Sequence, residues 1–311
     1  MSTTRTRHFK GPPPELSISI KALKDVDDIP IPWESRGDQS QVPTELLLMT
    51  ATDEAFLPCY SLMEHVEKVY HNTLGFVYFG EFKDTNHKHQ SVKVALMKHY
   101  EGVCETLKAV TNAAHVLHPK VTILVGTCET LERTIKVKPG DVVIATKLAT
   151  YDDDRILPKV SRNVRTLILS AGHGWKPPLK DPESLKVKVK TALMISGSDK
   201  IKNRESLKNL QKDFPDALVI EDGGRGLYEA ACDLKMEWAI VKGVSGSAGE
   251  SEEVSESWKQ FSSTMAASVV YDMFKYIVLQ NWTRERELAG DTKDVSNAET
   301  AGSNHSQRNV N

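Results

Sequence analysis

The stretch that decides the fold of this chain is residues 216–247, which read Asp-Ala-Leu-Val-Ile-Glu-Asp-Gly-Gly-Arg-Gly-Leu-Tyr-Glu-Ala-Ala-Cys-Asp-Leu-Lys-Met-Glu-Trp-Ala-Ile-Val-Lys-Gly-Val-Ser-Gly-Ser. Residues 217–220 form a short apolar run that is typical of a strand. Leu227, Ala230 and Leu234 then recur at helical spacing, and residues 238–244 return to a strand pattern. The order strand, helix, strand predicts a βαβ crossover with parallel strands, whose ligands would lie near the carboxyl ends of the strands.

The same patterns recur along the rest of the chain. Apolar runs predict further strands at 46–50, 74–82, 92–98, 121–127, 142–145 and 192–195. Helical spacing predicts helices at 53–66, 107–117, 160–170, 204–214 and 257–279. Because strands buried on both faces read as continuous apolar runs, we expect a three-layer α/β/α fold around a mixed, mostly parallel sheet.

Length and composition favour one domain with tails. The chain has 311 residues with 40% hydrophobic content, which is enough for one large α/β core. Residues 1–42 are rich in proline and charge, and residues 284–311 are polar, so we expect a flexible lead, a domain at 43–283 and a disordered tail. Either tail could contact other proteins.

Charge and cysteine usage exclude several classes of function. The formal net charge is −2 with both signs interleaved, so we predict no nucleic-acid partner. The four cysteines form no CxxC pair, which favours a reducing compartment. No apolar leader or membrane span is recognisable, so we expect a cytoplasmic protein with no membrane partner.

With these motifs the chain resembles the nucleoside phosphorylase and nucleosidase superfamily, most closely the methylthioadenosine/S-adenosylhomocysteine nucleosidase-like domains of animal proteins. The family opens the helix with Glu-Met-Glu and closes the second strand with Ile-Ser-Asp. A match without gaps places Glu221 on the first Glu, Gly223 on the second Glu and Gly246 on the Asp. The resemblance implies that the second Glu holds the ribose hydroxyls and that the Asp protonates the purine. This chain has glycine at both positions.

A third acid of the family, which orders the attacking water or the ribose, is also missing. Matching residues 56–60 to the family's opening helix places Ala55 on that position. Its neighbour Glu54 could substitute only if the register slipped by one residue, and helical neighbours point about 100° apart. In the family's glycine-rich loop only Gly102 is kept, between Glu101 and Glu105, which disfavours phosphate binding and therefore phosphorolysis.

The resemblance further implies a purine nucleoside ligand, no cofactor and a homo-oligomer. It assigns the ligand contacts to Thr127, Ser196, Gly197, Lys200, Glu221, Arg225 and Ser245. Lys200 stands where the family has an aromatic residue that stacks on the base. We expect the pocket between the five strand ends at 50–55, 125–130, 196–200, 221–225 and 244–247.

Two polar loops have a superficial likeness to metal sites. One carries Asp84, His87 and His89, and the other has consecutive aspartates at 152–154. Two histidines without Cys or Glu at ligand spacing usually coordinate nothing, and three consecutive aspartates cannot converge on one ion. We therefore predict no metal site.

Three functional hypotheses follow from these residues. The favoured one is a binding or regulatory domain that kept the nucleosidase fold, because one missing acid can cost about 10²- to 10⁴-fold in rate. The second is a working N-ribosyl hydrolase or phosphorylase that recruits Glu221, Asp222 or Glu54. The third is an oligomerisation module with a filled pocket.

Overall fold

The computed structural model describes residues 11–26, 29–36, 44–83, 91–131, 136–150, 155–157, 162–197, 204–249 and 254–275. Its strands are β1 (Ile31–Pro32), β2 (Leu46–Thr50), β3 (Glu64–His71), β4 (Gly75–Lys83), β5 (Ser91–Lys98), β6 (Val121–Thr130), β7 (Val142–Thr150), β8 (Arg155–Leu157), β9 (Val189–Ser196), β10 (Ala217–Glu221) and β11 (Glu237–Ser247). Its α-helices are α1 (Asp53–Ser61), α2 (Val103–Leu117), α3 (Arg162–Ser170), α4 (Arg204–Asp213), α5 (Gly224–Leu234) and α6 (Glu256–Phe274).

The predicted fold class is confirmed. All five residues of β2 are buried, and most of β6 and β11 is buried on both faces, as their continuous apolar runs predicted. Helix α1 packs with α6, and α2 packs with α5. Of the eleven pairings between the described strands, six are parallel and five antiparallel, so the sheet is mixed.

Part of the sheet closes into a ring that the sequence did not predict. In order, β6, β10, β9, β7 and β11 pair with one another, and β11 pairs again with β6. Strands β2, β5, β4, β3 and β1 extend from β6 in that order as an open sheet, and β8 pairs with β7 of the ring. Strand β6 therefore belongs to both the ring and the open sheet.

The predicted parallel crossover between β10 and β11 is wrong. Strand β11 pairs parallel with β6 along its length, with Glu237 opposite Val121. Strand β10 pairs antiparallel with the end of β6, with Val219 opposite Thr130. Strands β10 and β11 thus lie on opposite edges of β6 and run in opposite directions.

The helix predicted at 53–66 is too long. Helix α1 ends at Ser61, and residues 64–71 form β3, which pairs antiparallel with β4. The helical spacing continued by coincidence through Val66, which packs against the core from a half-buried strand. Pairing with β4 outweighed this local pattern.

The described part of the lead is packed rather than free. Strand β1 pairs with β3, Trp33 and Val26 are buried, and the backbone carbonyl of Gly11 accepts a 3.0 Å hydrogen bond from the indole of Trp258 in α6. The boundaries at 43 and 283 remain predictions, and the predicted tail lies outside the described residues. Among the described helices, none has the length and apolar character needed to cross a bilayer.

Helix α6 approaches β11 so closely that only glycine fits between them. A Cβ atom added to Gly243 would overlap the backbone carbonyl group of Ser262 in α6. Both elements are buried at this point, so neither can move without disturbing the core.

We therefore expect Gly243→Ala to lower the free energy of unfolding by about 3 kcal/mol, as overpacked core sites do. Urea denaturation of the full chain measures this change. Ser247→Ala, at the half-buried end of the same strand, is the matched control and should stay within about 0.5 kcal/mol of the wild type. Equal stability of both variants would contradict the close approach.

Candidate functional site

The candidate site lies where β6 changes its partner. One edge of β6 pairs with β11 throughout, whereas the other edge pairs with β2 at residues 121–124 and with β10 at residues 129–130. On that second edge, residues 125–128 have no ladder partner among the described strands. We call this gap the fork. Ligands in open α/β sheets collect at such switch points, because the chain diverges there and leaves a crevice.

A buried ion pair lies in the fork. The ammonium of Lys242, on β11, is 3.4 Å from Oε2 of Glu221, at the end of β10, and both side chains are almost fully buried. The other carboxylate oxygen of Glu221 accepts a 2.8 Å hydrogen bond from the backbone N–H of Gly224 at the start of α5. Loss of one partner from such a pair leaves an uncompensated buried charge, which costs about 3–5 kcal/mol.

The Lys242 ammonium also lies where two other elements meet. A Cβ atom added to Gly126 would be 3.3 Å from Nζ of Lys242 and 3.9 Å from the methyl group of Ala55. Gly126 is in the fork, and Ala55 is in the first turn of α1. The lysine head group therefore faces the place where the family's water-ordering acid is expected.

His99 is a third polar group at this place. Burial lowers the pKa of His99, the hydrogen bond to the Tyr100 carbonyl opposes this shift, and the charge of Lys242 adds to it. The ring is therefore neutral near pH 7. Nδ1 lies 2.7 Å from the Tyr100 carbonyl oxygen, which can only accept, so the proton is on Nδ1. This assignment leaves Nε2 as a buried acceptor with no hydrogen-bond partner.

No acid occupies the position at which the resemblance places the water-ordering acid. Ala55 is 2% exposed and faces the fork. Glu54 is half-buried and lies one residue earlier on α1, which turns its side chain about 100° away. The preceding acid, Asp53, pairs with Lys98 at 2.6 Å. The first turn of α1 therefore directs its methyl group, and not a carboxylate, toward Lys242.

The two glycines at the other acid positions occupy confined places. Gly223 has φ +106, a conformation that strains any residue with a side chain, and an added Cβ atom would lie 2.7 Å from Oγ1 of Thr106. A Cβ atom added to Gly246 would overlap Cγ2 of Val254. Neighbouring side chains thus fill the space that the missing acids would need.

The other predicted ligand residues are only partly brought together. Oγ of Ser196, at the end of β9, accepts a 2.9 Å hydrogen bond from the backbone N–H of Arg225, which joins β9 to the start of α5. The Arg225 guanidinium pairs with Glu229 along α5 at 2.7 Å. Oγ of Ser245 donates to the carbonyl oxygen of Cys128 at 3.4 Å.

Thr127 is half-buried in the fork opposite Gly243, and Gly197 is buried just after β9. Asp222 is half-buried between Glu221 and the start of α5. Lys200 lies outside the described residues, as do the two loops considered for metal binding. Burial raises the pKa of the Cys128 thiol far above its usual range, so this cysteine is a packed thiol rather than a nucleophile.

A cavity of about 530 Å³ lies against the open sheet, where residues of α1, β3, β4 and β5 line it. It is lined by Lys24, Val26, Asp53, Phe56, Lys68, Leu74, Gly75, Phe76, Tyr78 and Lys98. Of the five segments expected to form the pocket, it includes only the first, through Asp53. Lys98 is followed directly by His99, whose backbone N–H donates to the carbonyl oxygen of Thr50 at 2.9 Å.

Sequence reasoning missed several of these groups. Lys242 had a visible signal, because it is the one charge within the apolar run of β11. Thr106 and Val254 carried no signal, since their importance depends on contacts across the fold. The lysines of the cavity are spread over three elements and could not be grouped from their spacing.

The comparisons with known proteins agree with the fold described above. No family model matches the chain. A curated relative, a death domain-containing ATP nucleosidase from Amphimedon queenslandica, is 27% identical over 270 residues. The match covers 76% of this chain and 49% of the relative, so the chain spans about half the length of that protein.

Solved structures with the same fold are 5'-methylthioadenosine/S-adenosylhomocysteine nucleosidases. The protein from Neisseria meningitidis, in complex with methylthio-immucillin-A, has a TM-score of 0.62 at 19% identity and matches over 75% of this chain and 99% of its own. The protein from Colwellia psychrerythraea, in complex with adenine, has a TM-score of 0.62 at 15% identity, with coverage of 74% and 94%. The predicted resemblance to the nucleoside phosphorylase and nucleosidase superfamily is therefore confirmed, and this chain has the fold of that superfamily.

Proposed function

We propose that this chain is a degenerate nucleosidase-fold domain that binds a purine nucleoside at the fork and has lost most of the hydrolytic chemistry. The observation that carries the proposal is the pair of glycines, Gly223 and Gly246, whose surrounding space is already filled by Thr106 and Val254. Such a domain would act in nucleoside metabolism by binding and regulation rather than by turnover.

The polar groups of the fork support nucleoside binding. Oε2 of Glu221 has no hydrogen-bond partner, since its 3.4 Å approach to Lys242 lacks hydrogen-bond geometry, and Nε2 of His99 has none either. Buried polar atoms without partners are rare in folded proteins and need a reason. Ribose hydroxyls both donate and accept, so they would satisfy these acceptors. The adenine and the nucleoside analogue bound by the solved relatives support a purine as the base.

The lack of acids at three positions of the site argues against efficient hydrolysis. Cleavage of the N-glycosidic bond develops positive charge on the ribose and negative charge on the purine, so a carboxylate under the sugar and an acid near the base lower the barrier. Glycine and alanine offer neither group at positions 55, 223 and 246. The charge of Glu221 is balanced by Lys242, which weakens its attraction for a cationic ribose.

A working N-ribosyl hydrolase or phosphorylase is the second candidate. The similarity to the curated relative, which is an ATP nucleosidase, favours it. This function would require Glu221, Asp222 or Glu54 to lie within hydrogen-bond reach of a bound ribose or of purine N7. The third hypothesis, an oligomerisation module, calls for a filled pocket, and the cavity of about 530 Å³ includes only one residue of the five expected pocket segments, Asp53.

The proposal also includes features that rest on the sequence and its resemblance. The domain extends over residues 43–283, acts in the cytoplasm and assembles as a homo-oligomer. Residues beyond this domain could contact other proteins. Each of these features can be tested on the full chain by its oligomeric state in solution and its location in cells.

We expect the purified chain to bind adenosine but to release no adenine from methylthioadenosine, S-adenosylhomocysteine or ATP above the rate in buffer. The reason is the loss of three acids with separate roles in one transition state. Calorimetry measures binding, and chromatography of the reaction mixture measures free adenine.

Matched variants distinguish the two candidate functions, which are nucleoside binding without turnover and a working hydrolase or phosphorylase. Glu221→Gln and Asp222→Asn keep the shape of each side chain and remove its charge. Turnover by the wild type that either variant abolishes would establish a recruited acid and overturn the degenerate function. The absence of adenosine binding would overturn both candidates.

The filled space next to Gly246 gives a separate prediction. We expect Gly246→Asp alone to lower the free energy of unfolding by about 1–3 kcal/mol, because its side chain collides with Val254. Adding Val254→Ala should recover most of the loss relative to the Val254→Ala single variant. Chemical denaturation of the four proteins in this cycle measures the coupling. Additive effects would show that Val254 does not fill the acid's place.

A further inference from the structure

His99 is a titratable group of the fork that is fixed at two points. Its backbone N–H donates to the carbonyl oxygen of Thr50 at 2.9 Å, which ties the residue after β5 to the end of β2. Its Nδ1 lies 2.7 Å from the carbonyl oxygen of Tyr100. Because that oxygen can only accept, Nδ1 carries the proton of the neutral ring. The ring therefore has one defined tautomer.

The second ring nitrogen, Nε2, is left as an acceptor. It is almost inaccessible to solvent, and no described residue gives it a hydrogen bond. Buried polar atoms without a partner are rare in folded proteins, because the loss of hydration is not repaid. A donor group on a bound ligand would repay it.

Charged groups act on the ring with both signs. Burial has the largest effect on the pKa of His99 and lowers it, whereas the hydrogen bond to the backbone carbonyl of the next residue raises it. The ammonium of Lys242, on β11, also lowers it, although Glu221 balances part of this charge at 3.4 Å. The carboxylates of Glu105, in the first turn of α2, and Glu101, just before α2, raise it. The neutral form is therefore favoured near pH 7.

The neighbouring elements of the fork carry five further ionisable groups. On β6, burial raises the pKa of the Cys128 thiol, which stays neutral, and Glu129 is exposed. In the first turn of α1, Asp53 pairs with Lys98 at 2.6 Å, and Glu54 is half-buried. None of these five groups donates a hydrogen bond to Nε2 of the histidine.

We propose that His99 makes nucleoside binding at the fork depend on pH, because only its neutral ring can accept a hydrogen bond from a ribose hydroxyl at Nε2. This inference rests on the proposed nucleoside binding and adds the regulation of that site. Protonation of Nε2 turns the acceptor into a donor. It also places a second cation near Lys242. Acid therefore releases the nucleoside, and neutral pH allows it to bind.

The affinity follows the fraction of the protein in which His99 is neutral. Because the pKa of the free ring lies below its ordinary value, this fraction is high near neutral pH and falls as the pH drops through that pKa. A bound hydroxyl favours the neutral ring, so the ligand lowers the pKa further. We expect the affinity for adenosine to be constant near neutral pH and to fall in acid by up to about tenfold per pH unit.

Calorimetry of adenosine with the full chain, from about pH 8 to about pH 4.5, tests this dependence. NMR of the imidazole resonances follows the protonation of His99 over the same range, and the spectrum of His99→Gln identifies its signal. The loss of affinity should begin at the pKa measured in this way, and adenosine should lower that pKa. Constant affinity while the ring becomes protonated, or a ring that stays neutral throughout, would overturn the inference and leave nucleoside binding intact.

Substitutions separate the hydrogen bond from a structural role. His99→Gln keeps an acceptor that does not titrate, so it should bind adenosine within about threefold of the wild type at neutral pH and keep that affinity in acid. His99→Leu has no acceptor and should bind about five- to tenfold more weakly at neutral pH. The matched control is His173→Gln, at an exposed position after α3, which should keep the wild-type profile. A fall in acid that persists in His99→Gln would belong to another group and overturn the inference.

Sugar analogues identify the donor. The 2'-, 3'- and 5'-deoxy forms of adenosine each lack one hydroxyl. The form that lacks the donor should bind about five- to tenfold more weakly than adenosine to the wild type but about equally to His99→Leu. The same losses in both proteins for all three forms would overturn a ribose hydroxyl as the donor. Failure of the wild type to bind adenosine at any pH would overturn the nucleoside function itself.

Discussion

The arrangement of the sheet depends on strand β6, which has two edges but pairs with three other strands. One edge is taken by β11 along its whole length, so β2 and β10 must share the other. Neither of these two ladders extends over the four residues of β6 between them. This limit creates the fork, and it brings the ends of β10 and β11, the first turn of α1 and the residue after β5 to one place. The site is thus a consequence of strand pairing and not of a dedicated loop.

Close backbone approaches govern what the site can hold. Gly226 allows α5 to lie on the backbone of α2, and Gly243 allows α6 to lie on β11. With the helices drawn in at these points, residues such as Thr106 and Val254 reach the glycines at the acid positions. A carboxylate at Gly223 or Gly246 would need a different arrangement of these neighbours. The buried carboxylate of Glu221 is paired with the ammonium of Lys242, so its negative charge is largely balanced within the protein.

Local patterns gave the fold class, because strands such as β2 are apolar along their whole length and glycine and proline mark the turns. They did not give β3, whose apolar residues continued the helical spacing of α1 past Ser61. Ring closure and the orientation of β10 depend on pairings between residues about 90 apart in sequence, which no local pattern encodes. In the site, Glu221 and the missing acids could be named from the motif. His99 could not, because its place near Lys242 depends on where distant strands end.

The ring and the short strand β1 also limit how this protein can assemble. Within the described part of the chain, the ring joins its strands into a closed circuit, and the open sheet ends at β1, which has two residues, one of them a proline that cannot donate a hydrogen bond. A short edge strand of this kind offers little backbone to a further strand, so extension of the sheet past β1 is opposed by the length of β1 and by its proline.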